Sequence, residues 1–423
     1  MTNPISSAII TRRNARLGFL CFCAIVAGIG AATNAWLREL NPDEAKYYAP
    51  AIEFVSHSLP TFPLRDYPFP APPLALWAQA TVAKAFHNLA SVRVFSTLCA
   101  ACLAGYLLLG RDPRGRVPAL GIVALLTFPF FLWNAFTIKQ HAFTASCLLI
   151  GLERWCTAED AHSDQELWAS SAFLTVATLS NQFCAPLCAS LCLDSLLRTQ
   201  RPFRVEKARI LFSAVPLICL GLLMLYWGGK QPPTYIDPLP SAISIGWQSR
   251  LAQFALGAIS VGVWVGTLSF DYRLHARPFL LALIPALLVV WLSRLYSPSG
   301  DFWTTGQGPI SRALFALFRG NPSLLILVSG MLAALGVAFW VAPGMDTRWT
   351  GRCRILIVAY LAIAAIAVPY LFESYYLLLI MPLLFVVLRK SPILALNRVR
   401  TSIGEGGIVC AGIAYAVFKL KVG

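Results

Sequence analysis

The side chains with the clearest capacity for chemistry are two neighbouring acids, Asp43 and Glu44. They follow Asn41 and Pro42, residues that favour the N-cap and the first position of a helix. Glu44 stands three residues after Asn41, which is the spacing of a capping box. A carboxylate at a helix N-terminus stays ionised and can accept a proton from a hydroxyl within hydrogen-bond reach. The pair therefore indicates a general base with a helper, or acids that only cap the helix.

The helix predicted after these acids is amphipathic. Tyr48, Ile52, Val55 and Leu59 recur at helical spacing and form one apolar stripe, which favours a helix at a membrane surface. Pro50 falls inside the pattern and is expected to kink it.

A third acid, Asp66, lies in a segment that prolines keep extended. Prolines 68, 70, 72 and 73 fix this segment up to the start of an apolar helix. The segment is either a rigid connector at the water interface or a second part of a site.

Composition sets the class of protein. Of 423 residues, 57% are hydrophobic and 13% are charged, whereas soluble domains carry about 25% charged residues. The apolar runs predict an all-α polytopic membrane protein with about 11–13 transmembrane helices, arranged as one domain over residues 1–423. Residues 117–138 form one of these runs, while 167–179 and 183–197 predict two short helices that meet at residues 180–182.

The net charge of +15 has two interpretations, nucleic-acid binding or membrane orientation. Most Lys and Arg residues fall in short loops on one side of the predicted membrane, which favours orientation and argues against nucleic acid as a partner. The N-terminus is then cytoplasmic, and residues 38–90 form a long first extracytoplasmic loop. The first apolar run is interpreted as a retained helix, with a cleaved signal peptide as the alternative.

Metal and redox functions have little support. Nearly all of the 12 cysteines lie in or beside apolar runs, and they indicate neither a disulfide framework nor a zinc site. No ligand spacing accompanies Asp66, so we predict no metal-ligating residues and leave only a divalent ion open as a cofactor.

The motifs together resemble those of the GT-C superfamily of integral membrane glycosyltransferases. Residues 43–48 read Asp-Glu-Ala-Lys-Tyr-Tyr and residues 71–77 read Ala-Pro-Pro-Leu-Ala-Leu-Trp. Both are similar to first-loop motifs of the dolichyl-phosphate-mannose protein mannosyltransferases and the bacterial lipid A aminoarabinose transferases. Residues 226–233 and 373–382 resemble a central and a late motif of these enzymes. Ala71 and Ser374 replace basic residues that relatives often carry, so the positive charge near the donor phosphate comes from other residues or the donor is held differently.

The resemblance implies a GT-C-like fold and a function. Such enzymes move a sugar from a polyprenyl-phosphate donor to an acceptor hydroxyl outside the cytoplasm, with inversion at the anomeric carbon. Asp43 would be the base, Glu44 a helper or orienting residue, and Asp66 a group that orients the acceptor. The acceptor would be a lipid, a glycan or a protein.

Further residues are candidates for binding the donor phosphate, the sugar or the acceptor. Phosphate needs cations or aligned N–H donors, and Lys139 is the preferred cation. The complete set of candidate substrate-binding residues is Lys46, Tyr47, Arg65, Lys139, His141, Gln182, Lys230, Glu373 and Tyr375.

Two other functions remain as alternatives. The chain could be a transporter or flippase of lipid-linked sugars, although acids within the predicted spans are almost absent and no internal repeat is evident. It could also be a polymerase or ligase of surface polysaccharides, for which the longest outer loop is expected late in the chain. We expect the protein to be integral to a bacterial inner membrane.

Overall fold

A computed structural model describes residues 4–61, 64–110, 118–197, 203–235, 247–293, 308–318, 321–367, 373–391 and 398–422. All regular secondary structure in these ranges is helical. The contacts between residues divide the chain into two compact units, one of residues 1–238 and 406–423 and one of residues 239–405. The single transmembrane domain expected from the sequence stays a prediction.

The described residues of the first unit contain ten α-helices. These are α1 (Pro4–Thr33), α2 (Ala49–Ser58), α3 (Leu74–Phe86), α4 (Ala90–Leu109), α5 (Ala119–Leu126), α6 (Pro129–Asn134), α7 (His141–Ala161), α8 (Asp164–Thr178), α9 (Ala185–Leu197) and α10 (Phe203–Trp227). A five-residue π-helix, Glu44–Tyr48, leads directly into α2, and a 3-10 turn, Gln182–Cys184, precedes α9.

The second unit contains α11 (Trp247–Val261), a π-helical segment (Gly262–Gly266), α12 (Thr267–Ser269), α13 (Tyr272–Leu292), α14 (Pro309–Phe318), α15 (Pro322–Val341), α16 (Thr347–Ala367), a 3-10 turn (Glu373–Tyr376) and α17 (Leu377–Lys390). The last helix, α18 (Arg398–Val422), is divided between the two units after Glu405.

Seven helices in the described part of the chain are long and apolar enough to cross a membrane. They cover residues 12–33, 90–109, 207–227, 250–269, 272–292, 322–341 and 398–422. This is the pattern of an all-α polytopic membrane protein. The larger count of 11–13 spans stays a prediction, because several other helices are shorter or carry more charge.

One predicted membrane span is not a continuous helix. The described part of this run, residues 118–138, contains two short helices, α5 and α6, instead of one. The break falls at Thr127 and Phe128, directly before Pro129. A proline disfavours helical geometry in the residue before it and lacks the N–H that a continuing helix needs. Residues 135–140, between α6 and α7, form turns and bends.

The elements of the first loop share one apolar core. Ile52 and Val55 of α2, Tyr67 and Phe69 of the proline-rich segment, and Trp227 at the end of α10 are all buried in it. The predicted stripe on α2 is confirmed, with Tyr48 and Leu59 packed at its margin. This core holds the start of the helix, where both acids lie, against the rest of the first unit.

Candidate functional site

The capping box predicted at residues 41–44 is present. The backbone N–H of Glu44 donates to Asn41 Oδ1 at 2.9 Å, and the backbone N–H of Asn41 donates to Glu44 Oε2 at 3.0 Å. Two N–H groups that would otherwise lack partners at the helix start are thus satisfied reciprocally. The capping box holds the backbone on both sides of Asp43 in a defined conformation.

Glu44 is completely buried in a cluster with two arginines. Its Oε2 atom accepts from Arg38 and from Arg93, each at 3.0 Å. Burial lowers the pKa of Arg38, and the charge of Arg93 adds to this effect, while Glu44 opposes it. A buried carboxylate with this many donors is held in one position. This fixed position suits an orienting role, one of the two roles expected for Glu44.

Asp43 and Lys139 form an ion pair across the site. Lys139 Nζ lies 2.7 Å from Asp43 Oδ2, and 61% of the Asp43 side chain is exposed against 9% of the Lys139 side chain. The ammonium also lies 4.7 Å from the ring centroid of Trp133 and 5.9 Å from that of Tyr48. Lys139 is thus a largely buried cation with aromatic neighbours and one accessible carboxylate partner.

The two ends of this ion pair are joined through Glu44. Its Oε1 atom accepts the backbone N–H of Ile138 at 2.9 Å. Asp43 precedes Glu44 and Lys139 follows Ile138, so a single hydrogen bond sets the two segments side by side. Arg93 completes the junction, since it also donates to the carbonyl of Glu39 at 3.1 Å.

The proline-rich segment lies against the same core but does not bring its acid to Asp43. Tyr67 is buried, which raises its pKa well above the usual range, while Arg65 and Asp66 are exposed. Within the described residues, no hydrogen bond or ion pair links either exposed side chain to Asp43. The Arg65 carbonyl accepts from Thr234 Oγ1 at 3.1 Å, which attaches the segment to the turn after α10.

Two further candidates, Lys46 and Lys230, lie at the surface of the first unit. Lys46 is exposed, with its Nζ atom 5.2 Å from the ring centroid of Tyr47. Tyr47, also a candidate, is half-buried and packs against the apolar core. Lys230 is exposed in the turn after α10, where Gly228 adopts a φ of 70°. The two lysines can therefore approach a ligand from solvent.

His141 and Gln182 bring polar atoms into the interior of the first unit. His141 begins α7 two residues after Lys139, and burial, with the charge of Lys139 as a second cause, lowers its pKa to about 3. Gln182 opens the 3-10 turn between α8 and α9, as the two short predicted helices require. A third polar side chain, Gln79 of α3, donates to the Lys139 carbonyl at 3.4 Å.

The last two candidates, Glu373 and Tyr375, belong to the second unit. Their backbone forms part of the 3-10 turn, but both side chains lie outside the described residues. The neighbouring Tyr376 hydroxyl donates to the Gln253 carbonyl at 2.5 Å and so ties this turn to α11.

No group of three or more His, Cys, Asp or Glu side chains in the described ranges is placed to hold a metal ion. The charges of the site come instead from Glu44 and Asp43 and from the cations paired with them. Arg38, Arg93 and Lys139 oppose the two acids, which leaves one positive charge in excess.

Sequence reasoning missed three residues of this arrangement. Arg93 lies in an apolar helix, and Gln79 has no motif around it. Lys419, in the last turn of α18, places its Nζ atom 5.6 Å from the ring centroid of Trp133, the ring that also contacts Lys139. The available signal for Arg93 was its charge inside a predicted span, which by itself indicates a functional or paired residue.

Comparisons with protein-family models, with curated proteins and with solved structures find no match to this chain.

Proposed function

We propose that this protein is a membrane glycosyltransferase with a GT-C-like fold. It would transfer a sugar from a polyprenyl-phosphate donor to an acceptor hydroxyl of a lipid, glycan or protein. The observation that carries the proposal is the ion pair between exposed Asp43 and buried Lys139. It combines a carboxylate that can take a proton with a cation that can meet a phosphate, at the margin of an apolar core.

The proposed reaction is one inverting displacement. Asp43 takes the proton of the acceptor hydroxyl, whose oxygen forms a bond to the anomeric carbon as the bond from that carbon to the phosphate oxygen breaks. The electron pair leaves on the lipid phosphate, whose negative charge a nearby ammonium stabilises. The products are the glycosylated acceptor, the polyprenyl phosphate and a protonated Asp43.

Lys139 would pair first with Asp43 and then with the phosphate of the bound donor. Its ion pair with Asp43 occupies one carboxylate oxygen. A bound donor phosphate offers Lys139 a second anion, and movement of the ammonium toward it would leave Asp43 open to the acceptor. Lys46, Arg65 and Lys230 are exposed cations of the same unit that would attract the donor.

The proposed cellular location follows from the charges of the loops. With a cytoplasmic N-terminus, the acids lie on the opposite face of the membrane, where GT-C enzymes act. We propose the inner membrane of a bacterium, with the polyprenyl lipid and the surrounding membrane lipid as partners.

The test compares Asp43→Asn with the unmodified protein in membranes supplied with radiolabelled polyprenyl-phosphate sugars. Asp43→Asn should lower transfer by at least about a hundredfold, since general-base catalysis typically contributes 10²–10⁴-fold. The matched control is Asp164→Asn, the same change at an exposed acid that begins α8. Full activity of Asp43→Asn would remove Asp43 as the base. Uptake of these lipids without transfer would support a transporter instead.

A further inference from the structure

The part of α18 that belongs to the first unit packs against α5 and α6 through one face. Gly412 lies at the break between those two helices, where a Cβ atom would collide with the carbonyl oxygen of Thr127, so only glycine allows this close approach. One turn later, the rings of Tyr415 and Phe130 pack edge to face with their centroids 5.4 Å apart. The position of this face of α18 is therefore fixed at two successive turns.

The same face ends at Lys419, beside the ring that also contacts Lys139. Residues 412, 415 and 419 recur at spacings of three and four, so they lie on one side of the helix. The Lys419 Nζ atom lies 5.6 Å from the ring centroid of Trp133, and the Lys139 Nζ atom lies 4.7 Å from the same centroid. The two ammonium groups are therefore separated by no more than the sum of these two distances.

The surroundings of these two ammonium groups are poor in water. Trp133 is buried, the Lys139 side chain is largely buried and Lys419 is half-buried. Two positive charges near one buried ring repel each other, and the repulsion is stronger where little water screens it. Lys139 already pairs with Asp43. An anion bound beside both ammonium groups would lower the repulsion between them.

The proposed reaction increases the negative charge of the donor phosphate. In the donor the phosphate is a diester with one negative charge, because the polyprenyl chain and the sugar are both esterified to it. After transfer it is a monoester with a second pKa of about 6, so it carries two negative charges at neutral pH. Asp43 becomes neutral in the same step, because it takes the proton of the acceptor hydroxyl. Lys139 can balance one charge of the leaving phosphate, and a second cation would stabilise the other.

We propose that Lys419 is a phosphate-binding residue that stabilises, together with Lys139, the second negative charge of the leaving phosphate. This inference rests on the proposed function and adds a residue of the last helix to a site formed by the first loop and the turn after α6. Lysine has a flexible four-carbon stem, so both ammonium groups can move from the Trp133 ring to one phosphate group. A phosphate monoester offers three acceptor oxygens to them.

The test measures the binding of three ligands to the purified full-length protein in detergent at about pH 8, where a phosphate monoester carries two charges. The ligands are polyprenyl phosphate, its methyl ester, which carries one charge, and inorganic phosphate, which lacks the polyprenyl chain. The unmodified protein should bind polyprenyl phosphate about tenfold more tightly than the methyl ester, and inorganic phosphate at least about a hundredfold more weakly.

Substitution of Lys419 should remove the preference for the doubly charged ligand. Lys419→Gln should weaken binding of polyprenyl phosphate about tenfold, the effect of one lost charge-assisted hydrogen bond, and binding of the methyl ester less than about threefold. Lys419→Arg keeps the positive charge and should keep the preference.

Lys421→Gln is the matched control. Lys421 is exposed in the same last turn of α18 but lies about 200° around the helix from Lys419, so this variant should bind all three ligands as the unmodified protein does. Equal losses for polyprenyl phosphate and its methyl ester in Lys419→Gln, or no loss for either, would show that Lys419 only anchors the helix end at the membrane surface.

The unmodified protein decides the matter even if a variant does not fold. Equal binding of polyprenyl phosphate and its methyl ester would overturn the role of Lys419 but leave the proposed function intact. Equal binding of inorganic phosphate and polyprenyl phosphate would indicate a site for free phosphate and would also overturn this role. No binding of polyprenyl phosphate at all would reject the proposed function, and the role of Lys419 with it.

Discussion

The Oε1 atom of Glu44 accepts the backbone N–H of Ile138 at 2.9 Å, across 94 residues of sequence. This bond links the helix start that carries Asp43 to the turn that carries Lys139. The other oxygen of Glu44 is shared by Arg38 and Arg93. One buried carboxylate therefore joins three segments of the first unit and sets the distance between the two groups to which we assign chemistry.

Removal of the charge of Glu44 should destabilise the protein strongly. Glu44→Gln keeps the shape of the side chain but leaves Arg38 and Arg93 buried without a counter-charge, and breaking a buried ion pair costs about 3–5 kcal/mol. Thermal or denaturant unfolding in detergent measures the change. Glu53→Gln, at an exposed position of α2, is the control and should stay within about 0.5 kcal/mol. Equal stability of the two variants would contradict the role of Glu44 as a buried junction.

Asp43 and Lys139 should behave as one unit in catalysis but contribute little to stability. Because most of the Asp43 side chain is exposed, the coupling energy from a double-mutant cycle of unfolding should be about 0.5–1 kcal/mol. For sugar transfer, Asp43→Asn combined with Lys139→Gln should be no slower than the slower single variant. The combination of Lys139→Gln with Asp164→Asn is the control, and there the effects should be independent. Multiplied losses in the first pair would show that the two side chains act separately.

Acid should destabilise the protein in part through His141. Its folded pKa of about 3 lies below the unfolded value of about 6.5, so the unfolded chain binds a proton first. The stability is complete above about pH 6.5 and falls progressively toward pH 3. The melting temperature of His141→Gln should therefore fall less between pH 7.5 and pH 5 than that of the unmodified protein. His57→Gln, at an exposed histidine, should follow the unmodified protein, and an equal fall in all three would exclude burial of His141 as the cause.

The local features of the site could be predicted from sequence because their causes are local. The Asn41 to Glu44 box, the apolar stripe of α2 and the two short helices around Gln182 each depend on a few neighbouring residues. The proline at position 129 also gave a local signal for the break between α5 and α6, which the continuous apolar run concealed. In these cases the structure agrees with what the neighbouring residues lead one to expect.

The partners of the acids could not be predicted in the same way. Lys139 was a candidate because it is a cation in a polar turn, but its pairing with Asp43 depends on packing between segments 96 residues apart. Arg93 and Gln79 lie on helices whose sequence gives no sign of which face meets the acids. Their contacts arise only when the first loop, α3, α4 and the turn after α6 assemble around one core.

The π-helix at Glu44–Tyr48 gives the site a dependence on chain length. Ala49 donates its N–H to the Glu44 carbonyl, one residue farther back than in an α-helix, and Pro50 follows at once. This widened turn has the effect of one inserted residue, which in an α-helix corresponds to about 100° of rotation. Five residues thus fill the place of four in a regular α-helix, and the acids keep their direction relative to the buried face of α2 only while this turn stays wide. The same residues forced into a regular α-helix would rotate the acids by about 100° relative to the apolar stripe, so at this point the spacing of residues matters as much as their identity.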